Sequence, residues 1–269
     1  METERSPLGP ILDALPDPER AQGACCAALY ENAAVRWLLG GELHPGGAAT
    51  TRRAFELIGL APGDRVLDVG CGGGDSVLLA ASERGAKGVG LDLGAAAIAG
   101  AQAAARAQHL DGSAEFVRAD AGAVPFSAGS FDAVLAECAL STFADKDGAV
   151  AEMRRVVRGG GRVAISDVVV DHRRLPDRLR GPLASLACVG SALDVRGYET
   201  LLASAGLRLR AVERCDAAAA RLAERVEDRL RGARLLGFDG LDGAIELAGL
   251  ARSALAAGTL GYAVLAAAG

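Results

Sequence analysis

The sequence predicts an α/β protein built on a doubly wound, mainly parallel β-sheet with helical lid elements. Two observations predict this fold. Short strands rich in apolar and β-branched residues alternate with helical segments from Arg65 onward, and a glycine-rich turn at 70–74 directly follows the first strand. Continuously apolar strands are typical of a parallel sheet covered on both faces, and right-handed crossovers then wind the sheet in two directions. A chain of 269 residues is long enough to bury such a core.

The first third of the chain is predicted to be helical and irregular. Residues 1–18 carry four prolines and indicate a loose arm, followed by a helix over 19–39. A loop around His44 leads to a second helix, with Thr50 or Thr51 near its start. We therefore expect residues 1–60 to form an N-terminal arm and lid helices, and residues 61–269 to form the main domain.

From the first strand onward, strands and helices alternate. The predicted strands begin at Arg65 and continue with 87–92, 114–119, 131–136, 162–170, 207–215 and 259–266. The predicted helices are 75–84, 95–109, 146–158, 195–205, 217–236 and 243–257. Residues 171–194 interrupt this alternation with a charged turn and an apolar stretch, and they are predicted to be a lid insertion.

Composition excludes several classes of protein. The formal net charge is −5 with the two signs interspersed, which argues against a nucleic-acid partner. The N-terminus lacks the order of a signal peptide, and the apolar tail from Leu247 is interrupted by Arg252 and two glycines. We expect a cytoplasmic protein with no membrane partner. The six cysteines contain no CxxC pair, so a zinc ribbon is excluded and no resident metal is predicted.

Acidic residues close three successive predicted strands. Asp92 ends the second strand, Asp120 ends the third and Glu137 ends the fourth, at the edge where open α/β sheets bind ligands. A carboxylate at Asp92 suits the two hydroxyls of a ribose, and Asp120 is within reach of an adenine amino group. Asp68, before the glycine turn, favours a ligand with an ammonium group over the pyrophosphate of a dinucleotide oxidoreductase.

Residues Ala61 to Gly269 resemble the class I S-adenosylmethionine-dependent methyltransferases. The motifs that carry the resemblance are VLDVGCGGG, GVGLD, RADAGAVPF and EMRRVVRGGGRVAISD. The resemblance implies S-adenosylmethionine as cofactor. It places Gly70, Gly72 and Gly74 along the methionine portion, Asp92 at the ribose, and Asp120 with Ala121 at the adenine. Asp68, Leu93 and Glu137 complete the predicted cofactor-binding set.

Cysteines occur at each predicted lid position. Cys138 follows the fourth strand, Cys188 lies in the 171–194 insertion, and Cys25 with Cys26 lies in the first helix. Thiolates at separate positions form a soft site suited to metalloid ions. Trivalent arsenic bound to sulfur keeps a lone pair that can attack a methyl group, so no general base is required. Of the three histidines, His44 in the lid loop is the candidate for substrate contact.

Two segments, ECALSTFADKDGAVAEMRRVVRGGGRVAISDVVV and LASLACVGSALDVRGYETLLASAGL, resemble the arsenite methyltransferases. The resemblance implies that Cys138 and Cys188 hold trivalent arsenic and that Cys25 or Cys26 is a further functional cysteine. It also implies a thiol reductant of the glutathione or thioredoxin type as partner. The family's cysteine before the first strand, its tyrosine-containing opening and its cysteine-rich extension are missing, which leaves the number of methylations open.

Two other functions remain open from the sequence. The cysteines could be core residues of an ordinary small-molecule O-, N- or C-methyltransferase, because free cysteine is often a small buried hydrophobe. Alternatively, the fold could serve a non-catalytic thiol sensor of metalloids or redox state. Titration with trivalent arsenicals and an assay for methylated products separate these functions.

Overall fold

The computed structural model describes residues 33–180 and 188–269 and shows a seven-stranded sheet in the order β3-β2-β1-β4-β5-β7-β6. The strands are β1 (Arg65–Val69), β2 (Lys87–Asp92), β3 (Ala114–Arg118), β4 (Phe131–Glu137), β5 (Val157–Val170), β6 (Arg208–Arg214) and β7 (Leu260–Ala268). The first five strands pair in parallel. The predicted mainly parallel, doubly wound sheet is confirmed.

Eight α-helices accompany the sheet within the described residues. They are α1 (Ala33–Leu39), α2 (Gly47–Leu57), α3 (Asp75–Arg84), α4 (Ala95–Ala107), α5 (Lys146–Val156), α6 (Val195–Ser204), α7 (Asp216–Leu235) and α8 (Asp242–Ala256). Two short 3-10 helices lie at Leu140–Thr142 and Asp177–Arg180. No helix in this described part combines the length and apolar character needed to cross a membrane.

The core is divided between the two faces of the sheet. On one face, α5 and α6 pack Met153, Val156 and Tyr198 against the central strands. On the other face, α2 contributes Ala54 and Phe55 to a cluster that includes residues of β1, β4, β5 and β7. The side chains of these five residues are fully or almost fully buried. Helix α2 is therefore part of the core.

The last strand lies inside the sheet instead of at its edge. Strand β7 runs antiparallel between β5 and β6, and Val168 of β5 pairs with Tyr262 of β7. Its nine residues LGYAVLAAA are almost all buried, as expected for an interior strand. This insertion brings the C-terminal part of the chain next to the end of β5, where it contributes to the site.

Several predicted boundaries are wrong by a few residues. Helix α5 ends at Val156, and β5 already begins at Val157, which pairs with Phe131. The glycines at 159–161 therefore form an irregularity within β5 instead of a helix end, and Gly160 has a φ of 71° that suits such a bulge. Helix α2 begins at Gly47, so that Thr50 and Thr51 lie inside it and are buried. Helix α4 ends at Ala107, which places the exposed His109 beyond it, at a φ of 56°.

Candidate functional site

A cavity of about 510 Å³ lies at the carboxyl ends of the parallel strands. Its walls come from the glycine turn after β1, from the segments that follow β2 and β3, and from the segment that follows β4. The cavity brings together most of the residues predicted from the sequence, namely Gly70, Gly72, Asp92, Leu93, Asp120, Ala121, Glu137 and Cys138. Its position and size are typical of a site for a nucleotide-sized ligand.

The glycine turn is held against the neighbouring strand by main-chain hydrogen bonds. The amides of Gly70 and Cys71 donate to the Leu91 carbonyl at 2.7 Å and 3.0 Å. Gly70 and Gly72 have φ values of 80° and 51°, a conformation that glycine adopts without strain. The turn thus presents bare backbone to the cavity, which allows a ligand to approach closely.

Gly74 has a different place from the one that the resemblance implies. It does not line the cavity; it precedes α3, where a Cβ would lie 2.5 Å from the ring of Phe116 and 2.9 Å from the Cβ of Ala101. Its neighbour Gly73 lines the cavity instead, and a Cβ there would meet no heavy atom within 4 Å. Gly74 therefore allows close packing behind the turn, whereas Gly73 forms part of the cavity wall.

Asp92 joins the glycine turn to the end of β2. One oxygen of its carboxylate accepts from the Gly72 amide at 2.8 Å, and the other accepts from the Gly94 amide at 2.8 Å. Each carboxylate oxygen can accept more than one hydrogen bond, so both still have capacity for the hydroxyls of a ribose. Leu93, 41% exposed, lies beside it on the wall of the cavity.

Asp120 and Ala121 lie on the wall after β3. An oxygen of Asp120 accepts from the Gly122 amide at 2.7 Å, which closes a short turn and fixes the carboxylate at the rim. Phe143, from the segment after β4, lines the cavity as well and supplies an aromatic surface. A rim that combines an acidic acceptor with apolar surface suits a purine.

Asp68 lies behind the glycine turn and is buried. Burial, together with the charges of Glu137, Asp92 and Asp75, raises its pKa well above the usual range. One of its oxygens has no hydrogen-bond partner within the described part of the chain. A cationic group near the turn would relieve both the repulsion and the unmet hydrogen bond. The residues present therefore fit a nucleotide that carries an ammonium group.

Glu137 joins the two sides of the cavity. Its carboxylate accepts hydrogen bonds from the hydroxyls of Thr51 at 3.1 Å and Ser166 at 3.3 Å, and from the hydroxyl of Ser76. These donors belong to α2, β5 and α3, so three separate elements meet at one buried side chain. The carboxylate is thus held by neutral donors and lies at the floor of the cavity.

Cys138 and Cys188 lie in one apolar cluster, and Cys188 is the neighbour that acts most strongly on the Cys138 thiol. Both residues have left-handed backbones, with φ values of 51° and 62°. Such a conformation costs a non-glycine residue about 1–3 kcal/mol and is concentrated at functional sites. The proximity of Cys188, followed by burial, raises the pKa of the Cys138 thiol well above its usual range. The Cys138 thiol is therefore held neutral, next to a cysteine that lies fifty positions away in the sequence.

Two buried polar groups flank Cys138. The hydroxyl of Tyr262 donates to Ser166 at 3.1 Å, and its proximity opposes the rise in the pKa of the Cys138 thiol. Asp167 accepts from the amides of Ser141 at 2.8 Å and Val168 at 2.7 Å, and burial raises its pKa to about 6. The remaining surroundings are apolar residues of a cluster that includes Cys188 and the side of α8.

The other cysteines and histidines are not brought into this group. Cys71 is buried in the core between α3 and α4, and Cys215 is half-buried at the end of β6. Cys25 and Cys26 lie outside the described residues. His172 contacts the Ala192 carbonyl at 2.8 Å. Across 33–180 and 188–269, no group of three or more His, Cys, Asp or Glu side chains could hold a metal ion.

Several residues of the site are not singled out by the sequence. Tyr262 lies in an apolar strand whose position between β5 and β6 has no local signal. Ser76 and Thr51 reach Glu137 only because α2 and α3 converge on the same strand end. Phe143 and Gly73 could have been found, since both lie within segments that the sequence already marks as functional.

Comparison with known proteins places residues 60–206 in a family described as "Methyltransferase domain". Methyltransferase GfsG of Streptomyces halstedii is 31% identical over 61% of this chain and 59% of its own length. Two proteins named arsenite methyltransferase are each 33% identical. The one from Halobacterium salinarum matches 55% of this chain and 38% of its own length, and the one from Aquipseudomonas alcaligenes matches 83% and 68%. The chain thus spans less than two thirds of the first two relatives.

Solved structures share the fold. A putative sarcosine dimethylglycine methyltransferase from Galdieria sulphuraria superposes with a TM-score of 0.75, at 16% identity, over 90% of this chain and 97% of that one. A geranyl diphosphate methyltransferase solved with S-adenosylmethionine gives a TM-score of 0.70 at 23% identity, over 96% and 94% of the two chains. At these identities the likeness concerns the fold alone.

Proposed function

Since the chain belongs to the class I S-adenosylmethionine-dependent methyltransferases, we propose that it transfers the methyl group to trivalent arsenic bound by Cys138 and Cys188. The cofactor is S-adenosylmethionine. The observation that carries the proposal is the thiol pair: two cysteines from distant segments, both in left-handed conformations, lie in one apolar cluster, and Cys138 also lines the cavity proposed for the cofactor.

The residues that would bind the cofactor and the residues that would bind the acceptor have separate roles in this reaction. S-adenosylmethionine supplies an electrophilic methyl group when it is bound. The glycine turn, Asp92 and Asp120 hold and orient it, and the cavity walls exclude water. Cys138 and Cys188 hold the arsenic by two sulfur bonds, which leaves its lone pair available for attack. Because that lone pair is the nucleophile, the transfer itself requires no general base.

The chemical properties of the pair support a soft acceptor. The Cys138 thiol is neutral in the resting site, so it does not attract a hard cation. Similarity to two arsenite methyltransferases supports the same acceptor, and one of those matches covers 83% of this chain. Arsenite or methylarsenite would therefore be the substrate.

An organic small molecule is the second candidate acceptor. Methyltransferase GfsG is about as similar to this chain as the arsenite enzymes are. The apolar residues around Cys138, among them Val168, Leu250 and Tyr262, would suit such a substrate. In that case the cysteines would be packing residues, and their replacement by serine would have little effect on acceptor binding.

Arsenite titration of the full-length protein tests the proposal. We expect Cys138→Ser and Cys188→Ser each to weaken arsenite binding by a factor of about 10²–10⁴, because loss of one sulfur removes the advantage of two linked contacts. Isothermal titration calorimetry measures the affinity, and product analysis measures methylated arsenic. Wild-type affinity in both variants would exclude the thiol site. Binding without methylated product would indicate a sensor.

Cys215→Ser is the matched control. Cys215 is a half-buried thiol that packs against the same apolar cluster but does not line the cavity. We expect its replacement to leave arsenite affinity within about twofold of wild type, as for other substitutions that touch no ligand. A loss as large as that in Cys138→Ser would show that thiol content in general, and not the pair, controls the measurement.

Repeated turnover would require a reducing partner. Transfer of a methyl cation to the arsenic lone pair raises arsenic from the trivalent to the pentavalent state, and two electrons from thiols restore the trivalent state. A glutathione- or thioredoxin-type reductant is therefore part of the proposed function. Turnover that continues unchanged without any thiol reductant would contradict this step.

A further inference from the structure

Acidic side chains dominate the charge on the wall of the cavity. The acidic residues among those that line it are Asp75, Asp92, Asp120, Glu137 and Asp145. Asp68 lies directly behind the glycine turn, where burial and the charges of three other acidic groups raise its pKa. Such a wall attracts the sulfonium and ammonium groups of S-adenosylmethionine, but it repels the carboxylate of the same molecule.

Arg36 is the one basic side chain among the described residues that line the cavity. It belongs to α1, and its side chain is exposed. No ion pair between described residues involves Arg36, so its charge is not neutralised by any of the acidic groups nearby. The guanidinium is therefore available to an anionic group inside the cavity.

Helix α1 is fixed by contacts with α7. Arg229 donates to the Trp37 carbonyl, and its guanidinium carbon lies 5.3 Å from the centroid of the Trp37 ring. Just after the helix, Glu42 pairs with Arg225 at 2.8 Å between Oε2 and Nη2. These contacts hold α1 on both sides of Arg36 without using the Arg36 side chain.

The segment that follows α1 reaches the glycine turn. Leu43 lines the cavity, and a Cβ on Gly72 would lie 3.3 Å from the Cδ1 of Leu43. The unpartnered oxygen of Asp68 places the ammonium group of the cofactor near the same turn. In S-adenosylmethionine the ammonium and the carboxylate are attached to one carbon atom, so the carboxylate also belongs at this end of the cavity.

The backbone of the turn has little capacity left for a carboxylate. Of the five amides at 70–74, four already donate to protein acceptors, namely the carbonyls of Leu91 and Cys71 and the carboxylate of Asp92. Only the amide of Gly73 is left among them within the described residues. One amide cannot offset the repulsion from several acidic groups, so a cationic side chain is required.

We propose that Arg36 binds the carboxylate of S-adenosylmethionine and thereby selects the complete amino-acid portion of the cofactor. The planar guanidinium can donate two parallel hydrogen bonds to a carboxylate, and its charge offsets the acidic wall. Arg36 is a cofactor-binding residue in this proposal, and no covalent bond changes. The inference goes beyond the proposed acceptor, because it holds for any methyl acceptor.

Isothermal titration calorimetry with two ligands tests the proposal. S-adenosylmethionine and decarboxylated S-adenosylmethionine both carry the sulfonium and the ammonium, and they differ by the carboxylate. In Arg36→Gln we expect the affinity for S-adenosylmethionine to fall about tenfold, as for loss of a hydrogen bond to a charged group, and the affinity for the decarboxylated form to stay within about twofold. An equal loss for both ligands, or no loss for either, would overturn the proposal.

Two further substitutions at the same position grade the effect. Arg36→Glu should weaken S-adenosylmethionine binding about a hundredfold, because repulsion replaces attraction, and the decarboxylated form should then bind more tightly than the complete cofactor. Arg36→Lys keeps the charge and should stay within about threefold of wild type for both ligands. A loss in Arg36→Lys as large as in Arg36→Glu would show that the charge is not what matters, which contradicts the proposal.

Arg106→Gln is the matched control. Arg106 lies on α4, the helix whose Ala104 lines the cavity, and it is exposed but does not itself line the cavity. Its replacement removes the same charge and should change both affinities by less than about twofold, since exposed charges at a distance are screened by salt. A tenfold loss that is specific for S-adenosylmethionine in this variant would mean that overall charge selects the cofactor, and the role of Arg36 would be rejected.

These titrations contain no acceptor, so the proposed function and the role of Arg36 can fail separately. If Cys138→Ser binds arsenite like wild type while Arg36→Gln loses only the complete cofactor, the acceptor is wrong and the carboxylate contact stands. If the cysteine variants lose arsenite binding while Arg36→Gln binds both cofactor forms like wild type, the acceptor stands and the carboxylate contact is excluded.

Discussion

The two sides of the cavity are built in different ways. The donor side uses backbone that a single segment supplies: the turn at 70–74 follows β1 directly, and Asp92 holds it from the adjacent strand. The acceptor side uses side chains from four distant segments, represented by Cys138, Asp167, Cys188 and Tyr262. The donor side therefore depends on backbone conformation and on one carboxylate, whereas the acceptor side depends on the chemistry of several side chains.

The largest effect is expected from a single methyl group behind the glycine turn. Gly74→Ala introduces a Cβ 2.5 Å from Phe116 and forces a φ of 84° on a non-glycine residue. Strain and overpacking together should lower the free energy of unfolding by about 3 kcal/mol. Urea denaturation measures the change. A loss below about 1 kcal/mol would show that the backbone of the donor side is less constrained than this comparison requires.

Gly73→Ala is the matched control for that substitution. A Cβ at Gly73 meets no heavy atom within 4 Å, and its φ is not positive, so we expect stability to stay within about 0.5–1 kcal/mol of wild type. The added methyl group projects from the cavity wall, so the affinity for S-adenosylmethionine should fall instead. The two substitutions would then show that Gly74 is needed for packing and stability, whereas Gly73 is needed for ligand binding.

This division also explains what could be predicted from the sequence. The donor side was predictable because its residues are local: an apolar strand, a glycine turn and an acidic strand end follow one another within thirty or so positions. Even there, the distinct places of Gly73 and Gly74 depend on Phe116, which comes from a different strand. Spacing alone does not reveal that contact.

The acceptor side was predictable only in part. Cys138 and Cys188 could be paired through resemblance, but their proximity depends on a left-handed residue at each position. Tyr262 could not be found, because an antiparallel strand inserted between two others leaves no periodic signal in its own sequence. Long-range sheet order, not local pattern, decides which side chain completes the site.

The second prediction tests whether the two sides act independently. Asp92→Ala removes an ionised acceptor and should weaken S-adenosylmethionine binding about 10–100-fold, as expected for hydrogen bonds to a charged group. Arsenite affinity, measured without the donor, should stay within about twofold, because Asp92 touches none of the thiol residues. Isothermal titration calorimetry with each ligand measures the two affinities. A parallel loss of arsenite affinity would show that the turn and the thiol pair are coupled.

The smallest effect concerns strain at the thiol. Cys138 has a φ of 51°. Alanine is strained in this conformation, whereas glycine adopts it freely, so Cys138→Gly should be more stable than Cys138→Ala by about 1 kcal/mol. At Cys71, whose φ is not positive, alanine should be the more stable substitution by about 0.5–1 kcal/mol. Glycine loses more conformational freedom on folding than alanine does, and no strain offsets that loss there. Thermal unfolding of the four variants measures both differences. The same order at both positions would mean that the backbone at Cys138 relaxes once the thiol is gone, and that the side-chain contacts of the acceptor side, not its chain conformation, impose the left-handed turn.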